Sequence, residues 1–247
     1  MRRRIIAAAA AAMALMFLLP ASADARRRYK ELGTGLSVGY TYSSYRTLDW
    51  ATDEVVDKSG LHGLNIGATH DITLLRDALY LQTGLNYIYL NDSRKETLLG
   101  MKLVGDRTEH NLVIPARLKY MFPINSDICV YAFGGPSFQV GLVSDLVFRT
   151  RISEDKAAAL SYDYYTGKVH TKNAPDSMSD WFENQHPEGK RNRVDVLLGG
   201  AIGAELYDLI EVQIGYDWGL VNVNRGEDSY DMRTRRQLLY IGVGLRF

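Results

Sequence analysis

The feature that most constrains this chain is an alternation. Past Tyr29 no window of about 18 residues is uniformly apolar, yet apolar side chains recur at every second position through eight segments. These are residues 35–45, 62–74, 79–90, 109–122, 128–143, 192–207, 211–222 and 235–247. Period two is the signature of a strand with two chemically different faces. In the second segment Leu64, Ile66, Ala68, Ile72 and Leu74 share one face, and Asn65, Gly67, Thr69, Asp71 and Thr73 the other. The fourth sets Leu112, Ile114, Ala116, Leu118, Tyr120 and Phe122 against Asn111, Arg117 and Lys119, with Pro115 needing a bulge or a weak ladder position. The apolar face falls on even positions in the fourth, sixth and seventh segments and on odd positions in the eighth. An even number of such strands closes an antiparallel sheet without edges.

Connections between the segments alternate in length. Short ones fall at 75–78, 123–127 and 208–210, and long ones at 46–61, 91–108, 144–191 and 222–234. Tight turns on one side and long loops on the other, with both chain ends on the tight side, are the layout of a transmembrane barrel. The stretch 144–191 far exceeds an ordinary loop, so it carries structure or function, and Tyr162–Thr171 reads as a hairpin extending above the membrane.

Residues 1–23 read as a secretory signal peptide: Arg2, Arg3 and Arg4, then an apolar run too short to span a bilayer, then the small-residue site Ala21-Ser22-Ala23. Residues 24–34 follow as a periplasmic N-terminal segment and 35–247 as the barrel. Without the three leader arginines the chain has 26 basic against 29 acidic residues, a net of −3, which offers nucleic acid no electrostatic footprint. Cys129 is the single cysteine, so no internal disulfide and no lipid-bearing cysteine at the cleavage site is expected.

A soluble lipocalin-like barrel shows the same alternation with its faces exchanged. Three features favour the membrane. Tyr40, Tyr42, Tyr87, Tyr89, Tyr216 and Trp218 gather toward the long loops and Tyr120, Phe122 and Phe247 toward the short turns, as two interfacial girdles require. Glycines such as Gly67, Gly203, Gly215 and Gly242 crowd the polar face, where a narrow lumen needs room. The polar face also carries charges of both signs, which can neutralise one another inside. Together these predict an all-β, eight-stranded antiparallel up-and-down transmembrane barrel in a bacterial outer membrane.

The last residues, YIGVGLRF, resemble the C-terminal insertion signal of outer-membrane barrels, with Gly242, Leu245 and the terminal Phe247 in the signal's positions and Tyr240 departing where a polar residue is usual. With the leader and the strand layout, residues 35–247 resemble the small outer-membrane β-barrel family that includes PorT-like and OmpA-like barrels. That resemblance implies outer-membrane lipid and the barrel-insertion machinery as partners, and an accessory role in protein secretion for the PorT-like members.

Chemistry-bearing constellations are sparse. Lipid-modifying barrel enzymes need a nucleophile beside an oriented base. His62 and His70 have no hydroxyl two residues away, and His110 has only Thr108 at a loop edge, so no enzyme is expected. His170, Asp176, Asp180 and His186 match no compact metal-ligand spacing, and neither metal nor cofactor is expected. The lumen is more informative. Counting up from the short turns puts Asp71, Lys119 and Glu205 in one layer, Arg117 and Asp217 above it, and Glu211 and Arg246 near the periplasmic mouth, with Tyr131 and Phe133 adding bulk. A charge-filled lumen points to a non-enzymatic scaffold whose external loops engage an unknown protein partner; the alternative is a narrow porin-like channel.

Overall fold

The computed structural model describes residues 32–49, 55–75, 78–98, 101–125, 127–153, 156–173, 191–225 and 232–247. The leader and most of the predicted periplasmic segment lie outside the described residues, while Leu32, Gly33 and Thr34 already belong to the first strand. Ten strands are described: β1 (Leu32–Asp49), β2 (Val55–Leu75), β3 (Leu79–Leu98), β4 (Met101–Pro123), β5 (Ile128–Ser153), β6 (Lys156–Asp163), β7 (Lys168–Lys172), β8 (Val194–Leu206), β9 (Ile210–Gly219) and β10 (Met232–Arg246). Eight of them close on themselves. β1 through β5 pair in succession, β5 pairs β8, β8 pairs β9, β9 pairs β10, and β10 returns to β1, all antiparallel. The remaining two, β6 and β7, continue outward from the upper half of β5.

Burial settles which face is inside. The even positions of β4, β8 and β9 and the odd positions of β10 point outward, with Leu118 52 %, Ile202 64 %, Ile214 47 % and Ile241 50 % exposed, while inward Asp71, Lys119 and Asp217 are 3 % exposed or less. A soluble barrel would present the reverse. On β9 the outward run from Ile210 to Leu220, tilted as barrel strands are, spans about 25 Å, the height of a lipid-facing band. The girdles also form: Tyr120 and Phe122 pack at a tilt with ring centroids 4.4 Å apart below, and Tyr216 and Trp218 meet edge-on at 4.7 Å above.

The strands outrun their sequence segments. Residues 46–61 and 91–108, expected as loops, are largely ladder: β1 and β2 pair up to Leu48 and Val55, and β3 and β4 up to Leu98 and Met101. Apolar alternation reports only the part of a strand that has lipid on one side. Above the membrane both faces meet water, the alternation vanishes, and the backbone ladder continues without it.

The stretch 144–191 is built in a similar way. β5 rises to Ser153 and β6 descends beside it, so the turn 164–167 between β6 and β7 faces the barrel mouth and does not crown a hairpin projecting upward. Tyr164 N donates to Ser144 O at 2.9 Å, Arg191 N donates to Tyr164 O at 2.8 Å, and Leu160, Tyr162 and Tyr164 pack on Leu146 and Phe148. Pro115 occupies a weakened ladder. β3 and β4 pair at Thr83 with Ala116 and resume at Asn86 with Val113, beside Gly84 at φ 155°.

The C-terminal strand closes the seam. Leu245 and Phe247 face outward, and Phe247 N donates to Thr34 O at 2.8 Å. Deleting Phe247 removes this clasp and the terminal aromatic, and should lower the heat-modifiable, assembled fraction on unheated gels. Leu118→Arg places a charge on the lipid face near mid-height and should cost about 2–4 kcal/mol of folding stability in bilayers, read by denaturant titration. A variant as stable as the parent would reverse the face assignment.

Candidate functional site

The lumen is organised in layers that can be followed along the inward positions of single strands. β4 carries Lys119, Arg117, Pro115, Val113, Asn111, Glu109 and Arg107 from bottom to top; β10 carries Arg246, Gly244, Gly242, Tyr240, Leu238 and Arg236. Both therefore present charge low, an apolar side chain midway, and charge again at the top.

Five charges meet in the lowest layer. Lys119 Nζ donates to Glu211 Oε1 at 2.8 Å and to Asp71 Oδ2 at 3.1 Å. Arg246 donates to the same Asp71 oxygen at 2.5 Å, and its guanidinium lies 3.2 Å from Glu205 and 3.5 Å from Glu211. Glu211 and Arg246, expected in a separate layer at the periplasmic mouth, thus join Asp71, Lys119 and Glu205, because the long Arg246 side chain turns up into the barrel. Lys119 Nζ also sits 4.1 Å over the Tyr131 ring. Just above, Arg117 donates to Asp217 Oδ2 at 2.6 Å, to Tyr240 Oη at 2.7 Å and to Ser137 Oγ at 3.0 Å, and covers the Phe133 ring. Tyr240, the departure from the insertion signal, points inward and supplies its hydroxyl to this network.

Glycine makes these contacts possible. A Cβ at Gly203 would meet the Tyr131 ring, at Gly215 the Tyr240 ring, and at Gly199 the Asp217 carboxylate. In a lumen of eight strands there is no space for both a lining side chain and a ring crossing to the far wall.

An apolar layer follows, formed by Leu61, Ile88, Leu90, Val113, Leu197 and Leu238. Above it is a second ionic cluster that the sequence analysis did not single out. Glu109, fully buried, accepts from Arg107 at 2.7 Å, Arg236 at 3.1 Å and the Tyr45 hydroxyl at 2.6 Å, with Arg191 at 3.7 Å. Arg236 also donates to Tyr45 Oη and, at 3.1 Å, to Asn111. Glu109 and Arg236 share the inward parity of Lys119 and Arg246, so the pattern held their direction though not their partners.

The turn 164–167 caps this cluster. Arg191 stacks on Tyr164 at 3.9 Å, Arg193 lies 4.9 Å over Tyr165, and the Asp163 carboxylate accepts from Tyr165 N and Thr166 N. Burial, reinforced by the Glu109 carboxylate against the opposing arginines, pushes the Tyr165 phenol up to about 12, so it remains protonated at neutral pH. The space left beside Tyr165, Gln139 and Arg236 is about 10 Å³, no more than one water requires.

Three of the described histidines, His62, His70 and His110, are on the outer wall or its ends. Each of two sits between a pair of tyrosines on the neighbouring strand: His62 is hydrogen-bonded to Tyr40 and packed on Tyr42, and His110 is hydrogen-bonded to Tyr87 and packed on Tyr89. His70 meets Thr34 Oγ1 at 3.2 Å. Thr108, the one hydroxyl expected near His110, instead accepts from Asn91 at 3.3 Å. His170 lies on β7, while Asp176, Asp180 and His186 lie outside the described residues.

A closed barrel with lipid outside and a charge-filled lumen defines a small integral protein of the outer membrane. Residues 8–247 match the family model described as outer membrane protein beta-barrel domain, and the chain belongs to that family. No curated protein matches the sequence. Among solved structures it is similar to Ail, the attachment invasion locus protein of Yersinia pestis, at 10 % identity and TM-score 0.44 over 88 % of this chain and 99 % of that one. It is also similar to Neisserial surface protein A, at 10 % and 0.36 over 86 % and 97 %. A third similarity is to the N-terminal barrel domain of Pseudomonas aeruginosa OprF, at 13 % and 0.29 over 85 % and 97 %.

Arg117 and Asp217 offer a direct measure of desolvation. Breaking one side of a buried pair costs on the order of 3–5 kcal/mol, whereas a water-exposed pair contributes about 0–1 kcal/mol. Arg117→Met and Asp217→Leu alone should each cost several kcal/mol in detergent-phase unfolding, and the double variant should recover most of the loss. Small additive losses would mean that water reaches the pair.

Proposed function

We propose that this barrel is a non-enzymatic scaffold of the outer membrane that holds its external strands and loops for a protein partner, without conducting. The observation that carries this reading is the burial of Lys119 and Asp71, 0 % and 1 % exposed, within a lumen that a porin would keep wet. A conducting pore requires its charged lining to be hydrated along a continuous path. Here the charges are spent on one another and the upper end is closed by Tyr164, Tyr165 and Arg191. Among the described residues, what projects is regular strand: β5 alone has 26 residues, more than twice the length needed to cross, and β6 and β7 extend its sheet. An accessory role in secretion, as PorT-like barrels imply, is consistent with this construction.

Two measurements test the proposal together. In planar bilayers the purified protein should show no steady single-channel current. Affinity capture from gently solubilised membranes should retain a discrete partner that is lost when residues 144–191 are replaced by a short turn, with unheated gel mobility verifying that the shortened barrel still assembles. Steady ion flow through the parent protein would favour the narrow channel instead.

A further inference from the structure

The wall of the barrel has a step near its upper rim. β9 ends at Gly219, whereas β10 runs on to Met232 with β1 as its ladder partner, and the last β9 pairing of β10 is Gln237 with Trp218. Beyond that point the outer surface opens into a notch of about 360 Å³ bordered by Arg46, Leu48, Leu198, Trp218, Leu220 and Arg235.

Its chemistry is divided by height. Below, Trp218 and its ladder partner Leu198 are each about half exposed and continue downward into the lipid-facing band through Ile202 and Ile214. Above, Arg46 and Arg235 stand directly opposite each other across the β1–β10 ladder. Like charges in directly opposed positions repel, so this arrangement is unfavourable without an anion between or beside them. Neither arginine has a carboxylate partner among the described residues, and the Arg235 Nε is buried without a hydrogen-bond acceptor. By contrast Arg149, also on the exterior, is paired with Asp106 at 2.8 Å.

We propose that this notch is a docking site for an anionic, phosphate-bearing lipid of the outer leaflet, with its head group held by Arg46 and Arg235 and an acyl chain lying against Trp218 and Leu198. Guanidinium groups match phosphate oxygens in geometry and charge, and the paired arginines gain most from an acceptor that carries a full negative charge. The position fits a lipid. Trp218 belongs to the upper aromatic girdle, so the arginines sit at head-group height on the side of the long loops. A free anion would leave the apolar half of the notch uncovered, whereas a lipid covers both halves at once.

Trp218 can report its occupant directly. The full mature chain, with Trp50 and Trp181 replaced by Phe, is refolded into phosphatidylcholine vesicles containing either phosphatidic acid or phosphatidylcholine with brominated chains, which quench tryptophan on contact. Phosphatidic acid should half-quench Trp218 at a lipid fraction about ten- to thirty-fold lower than brominated phosphatidylcholine, the preference expected of two interfacial arginines. Arg46→Gln with Arg235→Gln should abolish the preference. Arg46→Lys with Arg235→Lys should keep most of it, and Arg149→Gln all of it. Unheated gel mobility verifies that every variant is assembled. Equal quenching by the two lipids in the parent, a preference that survives the double glutamine variant, or relief of quenching by added inorganic phosphate would each overturn the proposal.

Discussion

Lys119 carries its charge at a point that water reaches from neither end of the barrel, and much of the interior is arranged around that fact. An ammonium in such a place is tolerated only if anions replace its hydration shell. Asp71 and Glu211 do so, and each in turn needs a second cation, which Arg246 provides. The network therefore recruits β2, β4, β9 and β10, with Glu205 adding β8. Charges so placed bind distant walls together across the lumen, where the backbone ladder binds only neighbours.

Some of this interior was legible in the sequence and some was not. Strand parity gave the inward direction of Asp71, Arg117, Lys119 and Asp217, because on a strand with lipid on one side a polar residue has only one place to go. Height was less secure. Counting from the short turns assumes that side chains stay level with their backbones, and the long stem of Arg246 does not. It also loses accuracy with distance: the bulge between His110 and Asn111 shifts the β4–β5 register below Glu109. Arg191 follows a stretch without periodicity and reaches the lumen from outside the ladder, so no pattern indicated it. The extra length of the strands was hidden for a related reason, since ladders above the membrane have no hydrophobic alternation to display.

The exterior obeys the opposite rule. Large apolar side chains remain exposed because their partner is lipid, and the aromatic belts mark where that partner changes to head groups. Tyrosines bracket His62 and His110 at the upper boundary, giving each imidazole a hydroxyl contact on its ring nitrogen and an aromatic surface beside it. A ring with one polar edge suits a position between hydrocarbon and water. The same reasoning makes Arg46 and Arg235 conspicuous, because on the exterior they oppose like charge with like.

The apolar layer between the two ionic clusters has a role in specifying the strand register. The lower five-residue cluster has three acids and two bases, and the upper group around Glu109 has three arginines, so the two carry charge imbalances of opposite sign. Without a separator their long side chains could exchange partners at little cost, since buried arginines and carboxylates pair readily in many combinations. Leu238 and Val113, each lying between charges on its own strand, interpose a region lined mainly by aliphatic side chains and holding no ionised group. A slip of β4 by one residue would turn Lys119 and Arg117 toward lipid, and a slip by two would bring Val113 against the ions and leave them short of acceptors. Ionic layers that differ in composition, separated by an aliphatic layer, thus favour the one register in which Lys119, Arg246, Arg117 and Glu109 each face an opposite charge.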